Sequence, residues 1–326
     1  MKRRDFITLL GGAAATWPLA ARARQQAMPV IGYLGAGSRA PTAGVLAIFR
    51  QGLAEAGYVE GRNVAIEYRY GEGRYDRLPA LAEELVRRQV AVIFASPSPA
   101  ALAAKAATAT IPIVFTAAED PVKLGLVTNL ARPGGNATGA TFLFAELGPK
   151  QLGLLRELVP TAARIGLLIN PSNMNAADQT KDLTAAGAAM GVQIEVVQAS
   201  NILEIDAAFA TLVRKRADAL VAGTDSFFFS RRLQLSTLAT RHAIPAVYNA
   251  REFAEAGGLM TYGTSLIEAF RRVGIYTGRI LQGTKPADLP VVQSSKFEFV
   301  INLSTARALG LEVPPTLLAR ADEVIE

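Results

Sequence analysis

The chain has 326 residues, half of them hydrophobic and 19% charged, with no cysteine, one histidine and a formal net charge of +6. The missing cysteine excludes disulfides, thiol nucleophiles, iron–sulfur clusters and cysteine zinc sites, and a lone His242 leaves no histidine cluster for a metal and one candidate for a Ser-His-Asp triad. The length fits one large or two moderate domains, with a core that needs no covalent staples.

The chain opens with Lys2, Arg3 and Arg4, then runs mostly apolar from Phe6 to Ala21. That is shorter than the roughly 20 residues needed to span a bilayer. Ala21-Arg22-Ala23 supplies small residues two apart, so the segment reads as an export signal cleaved after Ala23. Arg3-Arg4-Asp5-Phe6-Ile7 resembles a twin-arginine signal, and the alternative is an ordinary Sec signal that contains two arginines. No cysteine follows the apolar run, which excludes a lipid anchor there. The segment carries Lys2, Arg3, Arg4 and Arg22 against Asp5, so half of the positive excess leaves with it and +3 remains. Such a charge gives no reason to expect nucleic acid as partner, and the mature chain carries no membrane segment.

Beyond the signal, short apolar runs alternate with longer amphipathic ones. Strands are expected at Val30–Leu34, Val64–Tyr70, Val90–Ala95 and Pro112–Thr116, followed by the turn-rich Arg132–Asn136 and then Thr138–Phe144 between the lobes. The rhythm restarts at Arg164–Ile169, Gln193–Gln198, Ala217–Ala222, Pro245–Tyr248 and Gly258–Tyr262, with a further strand at Phe297–Ile301. Between them, Leu78, Leu81 and Leu85, then Leu152, Leu155 and Val159, then Leu266, Phe270 and Val273 mark apolar helix faces at three-to-four spacing. Alternating strands and helices imply parallel sheets covered on both faces. Runs such as Val90-Ala91-Val92-Ile93-Phe94 suit strands buried on both sides. The expected architecture is two α/β lobes joined near residues 138–147, with a helix and strand after the second lobe as further crossings.

Five loops follow expected strands: Gly35–Ser38, Ser96–Pro99, Ala118–Pro121, Asn170–Asn173 and Thr224–Ser226. Ligands of open α/β sheets bind beyond the carboxyl ends of the strands, and helix N-termini there offer backbone N–H groups to an anionic moiety. Taken singly, Ser98, Asp120 and Asp225 read as helix caps, with Pro99 and Pro121 at first-turn positions. A site is expected because five such loops face one place.

Other chemistry is thinly represented. Gly35-Ala36-Gly37-Ser38-Arg39-Ala40 matches a dinucleotide-binding pattern, but Pro41 follows directly and the acidic residue falls at Glu60 in a turn. There is no P-loop and no nucleophile elbow. His242 sits near a helix C-terminus, where a structural role is ordinary. Glu119 reads as a solvated neighbour of the Asp120 cap, and nothing in the spacing places two carboxylates across a cleft. Phe227-Phe228-Phe229 divides between an aromatic shelf for ligand and core packing. Arg231-Arg232 reads as a solvated face.

The residues also carry a family resemblance. Ile31-Gly32-Tyr33-Leu34-Gly35, Phe49-Arg50-Gln51-Gly52-Leu53, Gly71-Glu72-Gly73-Arg74, Arg132-Pro133-Gly134-Gly135-Asn136, Arg251-Glu252-Phe253 and the closing Pro314–Asp322 stretch resemble ABC transporter substrate-binding proteins of the tryptophan- and phenylalanine-binding type. The resemblance implies two doubly wound parallel-sheet lobes with a hinge, the type I periplasmic binding-protein fold. It implies a periplasmic monomer that captures a small molecule between the lobes, an amino acid or small organic acid, aromatic ones included, and delivers it to a permease driven by an ATPase. No cofactor, metal or catalysis is expected. Carried over position by position, it points to Ser38, Ser96, Ser98, Asn170, Asn173, Asp225, Ser226 and Tyr248 as ligand-binding residues. It places the N-terminal lobe at residues 28–143 plus 262–286 and the C-terminal lobe at 147–259 plus 290–326, after the export signal of residues 1–23. Relatives often read Asp-Pro-Phe-Phe-Asn-Ser where this chain has Asp225–Ser230, and carry an acidic residue where it has Asn249. The rival reading is a two-lobed hydrolase or isomerase with Asp120 or Asp225 as base. A ligand-responsive regulator is a third, opposed by the export signal at the N-terminus.

Overall fold

A computed structural model describes residues 28–142, 147–294 and 296–326. The expected export signal and most of the first inter-lobe link, residues 143–146, lie outside the described residues.

The first run of elements is β1 (Val30–Gly35), α1 (Arg39–Glu55), β2 (Ala65–Tyr70), α2 (Leu78–Arg87), β3 (Val92–Ser96), α3 (Ser98–Ala107), β4 (Ile113–Ala117) and β5 (Ala137–Thr141). The second is α4 (Gly148–Leu158), β6 (Arg164–Ile169), α5 (Ala176–Ala189), β7 (Gln193–Gln198), α6 (Ile202–Arg214), β8 (Ala219–Ala222), α7 (Ser226–Ser230), α8 (Arg232–Arg241), β9 (Ala246–Tyr248), α9 (Arg251–Glu255) and β10 (Met260–Thr264). Then come α10 (Leu266–Leu281), β11 (Val292–Gln293), β12 (Phe297–Asn302), α11 (Leu303–Ala308), α12 (Pro315–Leu318) and β13 (Glu323–Ile325). The expected strands form within about two residues of their expected bounds, and β5 is a further strand in the stretch expected to lie between the lobes. β11 and β13 are too short to leave a periodic signal.

The strands form two sheets, ordered β11-β5-β4-β3-β1-β2 and β13-β12-β10-β9-β8-β6-β7. The first is wholly parallel, while the second contains one antiparallel pair, β10 with β12. The chain therefore crosses between lobes after β5, after β10 and after β11. This shifts the expected boundaries. Residues 262–264 belong to β10, held in the second sheet by β9 and β12. Residues 292–293 form β11 beside β5 in the first sheet. Hydrophobicity marks a strand but not its neighbour, so pairing alone assigns such short crossing segments to a lobe.

Both faces of each sheet are covered. In the first lobe α1 and α10 bury Leu46, Phe49, Leu53, Phe270 and Val273 against Ile31, Tyr33 and Phe94, and α2 and α3 cover the other face with Leu78, Leu85 and Ala101. α10 and α1 approach closely through glycines: a Cβ at Gly52 would lie 2.0 Å from the Arg271 carbonyl oxygen, and one at Gly274 2.2 Å from that of Phe49. α10 leaves the second sheet yet is packed in the first lobe's core, which ties the crossings to the hydrophobic interior. Among the described residues no helix is long and apolar enough to cross a membrane.

Candidate functional site

Sheet order reverses at β1, flanked by β2 and β3, and at β6, flanked by β7 and β8. Loops diverge at such switch points and leave a crevice beyond the strand ends. In the first lobe the diverging loops are Gly35–Ser38 and Ser96–Pro99; in the second they are Asn170–Asn173 and Thr224–Ser226. The two crevices face each other across a cavity lined by residues of both lobes.

Asp225 is the centre of the second lobe's contribution. It is the N-cap of α7, accepting from Phe227 N at 2.8 Å and Phe228 N at 3.3 Å through Oδ1. Asn170 Nδ2 adds a bond to Oδ1 at 3.1 Å, and Asn173 Nδ2 one to Oδ2 at 2.8 Å. The Tyr75 hydroxyl, from the turn after β2 in the other lobe, donates to Oδ2 at 2.6 Å. Burial pushes the Asp225 carboxyl up, and the bonds from Tyr75, Asn170 and Asn173 pull against that shift. The capping role and the cleft role thus coincide in one side chain.

Glu119 corrects the expectation of a solvated neighbour. Its carboxylate accepts from the Ser98 hydroxyl in its own lobe and from Asn175 Nδ2 in the other. Burial raises its carboxyl, and the charge of Asp225 acts in the same direction. Two carboxylates therefore do meet across the cleft, brought together by loops more than a hundred residues apart. The cavity lining contains no lysine, arginine or histidine. Among the described residues no group of His, Cys, Asp and Glu could hold a metal.

The rest of the lining divides by chemistry. Ser96, Ser98, Thr116, Asn173, Thr224, Ser226 and Asn249 are polar, and the Thr116 hydroxyl donates to Ser96 Oγ at 2.7 Å. Tyr33, Val45, Phe142, Leu266 and Phe270 are apolar walls shared with the first lobe's core. Phe229 faces the cavity from the second lobe, while Phe227 and Phe228 pack in its core. The phenylalanine run therefore does both jobs, divided by the helical turn that α7 imposes.

Of the expected ligand-binding residues, Ser96, Ser98, Asn173, Asp225 and Ser226 line the cavity. Asn170 is buried behind it and holds Asp225. Ser38 stands at the rim as the N-cap of α1, with its carbonyl accepting from Thr42 at 2.8 Å. Tyr248 is not a cleft residue. It is fully buried, stacked on Phe253 with ring centroids 4.5 Å apart. Strand alternation turns it into the lobe's core, and the cavity meets Asn249 and Ala250 instead. Tyr75 and Asn175 were missed, and Glu119 misread, because each makes a bond to the other lobe that local sequence does not show. The glycines of the dinucleotide-like pattern are approached by the chain itself: a Cβ at Gly35 would lie 2.6 Å from the Tyr33 hydroxyl, and one at Gly37 3.0 Å from Ser230 Oγ.

As for the enzyme reading, Asp120 caps Val122 N at 2.8 Å and lies outside the cavity lining. Asp225 has its lone pairs engaged by five donors. His242 ends α8 and stacks on Phe209 at 6.1 Å, a structural position.

Known proteins are similar to this chain in sequence and fold. A tyrosine-binding protein of Clostridioides difficile (strain R20291) is 29% identical over 265 residues, covering 81% of this chain and 76% of the relative. An ABC domain from Streptococcus pneumonia, solved in complex with L-Trp, is 27% identical with a TM-score of 0.79, covering 90% of this chain and all of that one. The ligand-free, open structure of a substrate-binding protein with adhesive properties from Clostridium difficile is equally identical at 27% but scores 0.63, over 91% of this chain and 99% of that one. Equal identity with unequal superposition agrees with the bonds Tyr75–Asp225 and Glu119–Asn175, which require the lobes to be drawn together. The family model for ABC transporter substrate-binding proteins matches residues 43–325, a span that starts after β1 and its loop and takes in all three crossings, and the chain belongs to that family.

Proposed function

We propose that the protein captures an aromatic amino acid in the inter-lobe cleft and hands it to a membrane permease. The observation that carries this reading is the cleft's charge: Glu119 and Asp225 face it from opposite lobes, with no cation in the lining. A buried Asp225 and a half-buried Glu119 are costly as charges unless neutralised, and a ligand ammonium group neutralises them. A small organic acid without an amine would add a third negative charge, so the amine narrows the class. The side chains of Ser226 and Asn249 supply neutral donors for the ligand carboxylate. Phe142, Phe229 and Phe270 supply the apolar walls for an aromatic body, in accord with the ligands named for the two relatives above. The replacement of an expected acidic residue by Asn249 leaves this charge pattern intact.

Under this reading the ligand leaves unchanged, the protein is a monomer, and an ATP-driven permease is its partner. The N-terminal segment directs twin-arginine export to the periplasm, with cleavage after Ala23. A thermal-shift screen of the purified protein against the amino acids and small carboxylates tests the ligand class, since a saturating ligand raises the melting temperature by mass action. Stabilisation by aromatic amino acids, with the compound recovered intact by mass spectrometry, is expected. Stabilisation by carboxylates lacking an amine, or chemical conversion of the bound compound, would refute it. Export is tested by replacing Arg3 and Arg4 with lysine and following the processed form in the periplasm.

A further inference from the structure

Strand β8 ends at Ala222, Gly223 N still bonds the Leu168 carbonyl at 2.8 Å, and Thr224 and Asp225 follow before α7 begins. Backbone groups that have left a sheet need partners from elsewhere. For Thr224 one side chain serves both. Gln179, on α5, accepts from Thr224 N at 2.8 Å through Oε1 and donates to Thr224 O at 3.2 Å through Nε2. Glycine precedes Thr224 because the approach is close: a Cβ at Gly223 would lie 2.8 Å from the Leu168 carbonyl oxygen and 3.0 Å from Gln179 Oε1.

Thr224 lines both the ligand cavity and a smaller hollow, and Gln179 lines only the hollow, with Gln151, Asp182 and Leu183. The carboxamide thus holds a residue that borders the ligand without bordering it itself. Gln179 lies one turn along α5 from the cap residue Asn175, whose carbonyl accepts from Gln179 N at 2.9 Å. Asn175 Nδ2 donates to Glu119 in the other lobe. Asn173 closes the circuit: its Oδ1 accepts from Asn175 N at 2.9 Å, and its Nδ2 donates to Thr224 O at 3.1 Å and to Asp225 Oδ2 at 2.8 Å. The start of α5 and the Thr224–Asp225 loop are therefore one hydrogen-bonded body, which carries Asp225 and the inter-lobe bond of Asn175 together.

We propose that Gln179 is a positioning residue for ligand binding: it fixes the Thr224 backbone to α5, so that Asp225 meets the ligand and Asn175 meets Glu119 in one movement. The inference rests on the reading of the cleft above and takes its probe ligands from it. Site groups need supporting hydrogen bonds to stay within about 0.5 Å of their productive geometry. Without the carboxamide, Thr224 O keeps its bond from Asn173, Thr224 N loses its acceptor, and Asn173 is left to hold the loop against the start of α5.

Gln179→Met keeps the length of the side chain and removes both bonds. Calorimetric titration with L-tryptophan and L-tyrosine should give dissociation constants about tenfold higher in the variant than in the wild type. Asn175→Ala, made in both backgrounds, supplies a readout that a merely structural role would not move. If the carboxamide makes one body of Asp225 and Asn175, the combined loss should fall short of the product of the two single losses by at least about threefold. Losses that simply multiply, or a dissociation constant within about twofold of wild type in Gln179→Met, would overturn the assignment. Amide hydrogen exchange of the ligand-free protein tests the same point without a ligand. Exchange at Thr224–Phe228 should quicken in Gln179→Met while β6 and β8 keep their protection; unchanged exchange, or faster exchange throughout the second lobe, would overturn the positioning role. If neither amino acid binds the wild type, the aromatic-amino-acid reading fails by itself, and the exchange result still decides the role of Gln179.

Discussion

Replacing Tyr75 by phenylalanine isolates the bond that joins the lobes. The ring stays, and the hydroxyl that donates to Asp225 Oδ2 at 2.6 Å is removed. Hydrogen bonds to charged groups are worth about 1.5–3 kcal/mol. Oδ2 keeps its bond from Asn173 Nδ2 at 2.8 Å, so the carboxylate is not left bare and the lower part of that range applies. A loss of about 1.5–2 kcal/mol corresponds to about 10–30-fold in an equilibrium constant. Tyr75 belongs to the first lobe and Asp225 to the second, so the loss falls on the closed arrangement. Apparent affinity scales with the population of the binding-competent state, so the dissociation constant should rise by the same factor. Calorimetry gives that constant, and stopped-flow fluorescence with the same amino acid should place most of the change in the dissociation rate. A dissociation constant within twofold of wild type would refute the assignment of Tyr75 to closure.

Three other outcomes follow from the geometry. Burial raises the carboxyls of Glu119 and Asp225, so the cost of closing over them without ligand is present above their raised values and vanishes as pH falls below the ordinary carboxylate range at about 4. An ammonium ligand should therefore release protons on binding in mildly acid solution and bind more weakly as pH falls toward about 4; titrations in buffers of different ionisation enthalpy detect the release, and heats independent of buffer would refute it. Gly52→Ala puts a Cβ against the Arg271 carbonyl oxygen at 2.0 Å and should cost at least about 1–3 kcal/mol through overpacking, read as a lowered denaturation midpoint; an unchanged midpoint would contradict the close approach of α1 and α10. Tyr248→Phe should leave ligand affinity within about twofold, while Tyr248→Ala should cost about 3–5 kcal/mol of stability by analogy with other large aromatic truncations; a large affinity loss in the phenylalanine variant would return Tyr248 to the cleft.

The alternation of strand and helix was legible in the sequence because a strand covered on both faces is a continuous apolar run and its helix repeats every three to four residues. Two lobes and the loops beyond their strands followed from that, and it was the family resemblance that picked Ser96, Ser98, Asn173, Asp225 and Ser226, which line the cavity, from those loops. Pairing was not legible: β11 is two residues long, and only its register with Ala140 and Thr141 assigns it to the first lobe. Side-chain direction was not legible either, since alternation sends Tyr248 into the core and leaves Asn249 at the cavity. The sequence by itself determined which residues sit at strand ends. The tertiary structure alone decided that Glu119 meets Asn175 and that Tyr75 meets Asp225, because each bond joins lobes whose approach depends on hinge crossings and closure rather than on local propensity. The missing cysteine and the single histidine excluded chemistries from the start. The tertiary structure adds that the cleft's charge is carried by two carboxylates from opposite lobes, a pattern that no stretch of contiguous sequence contains.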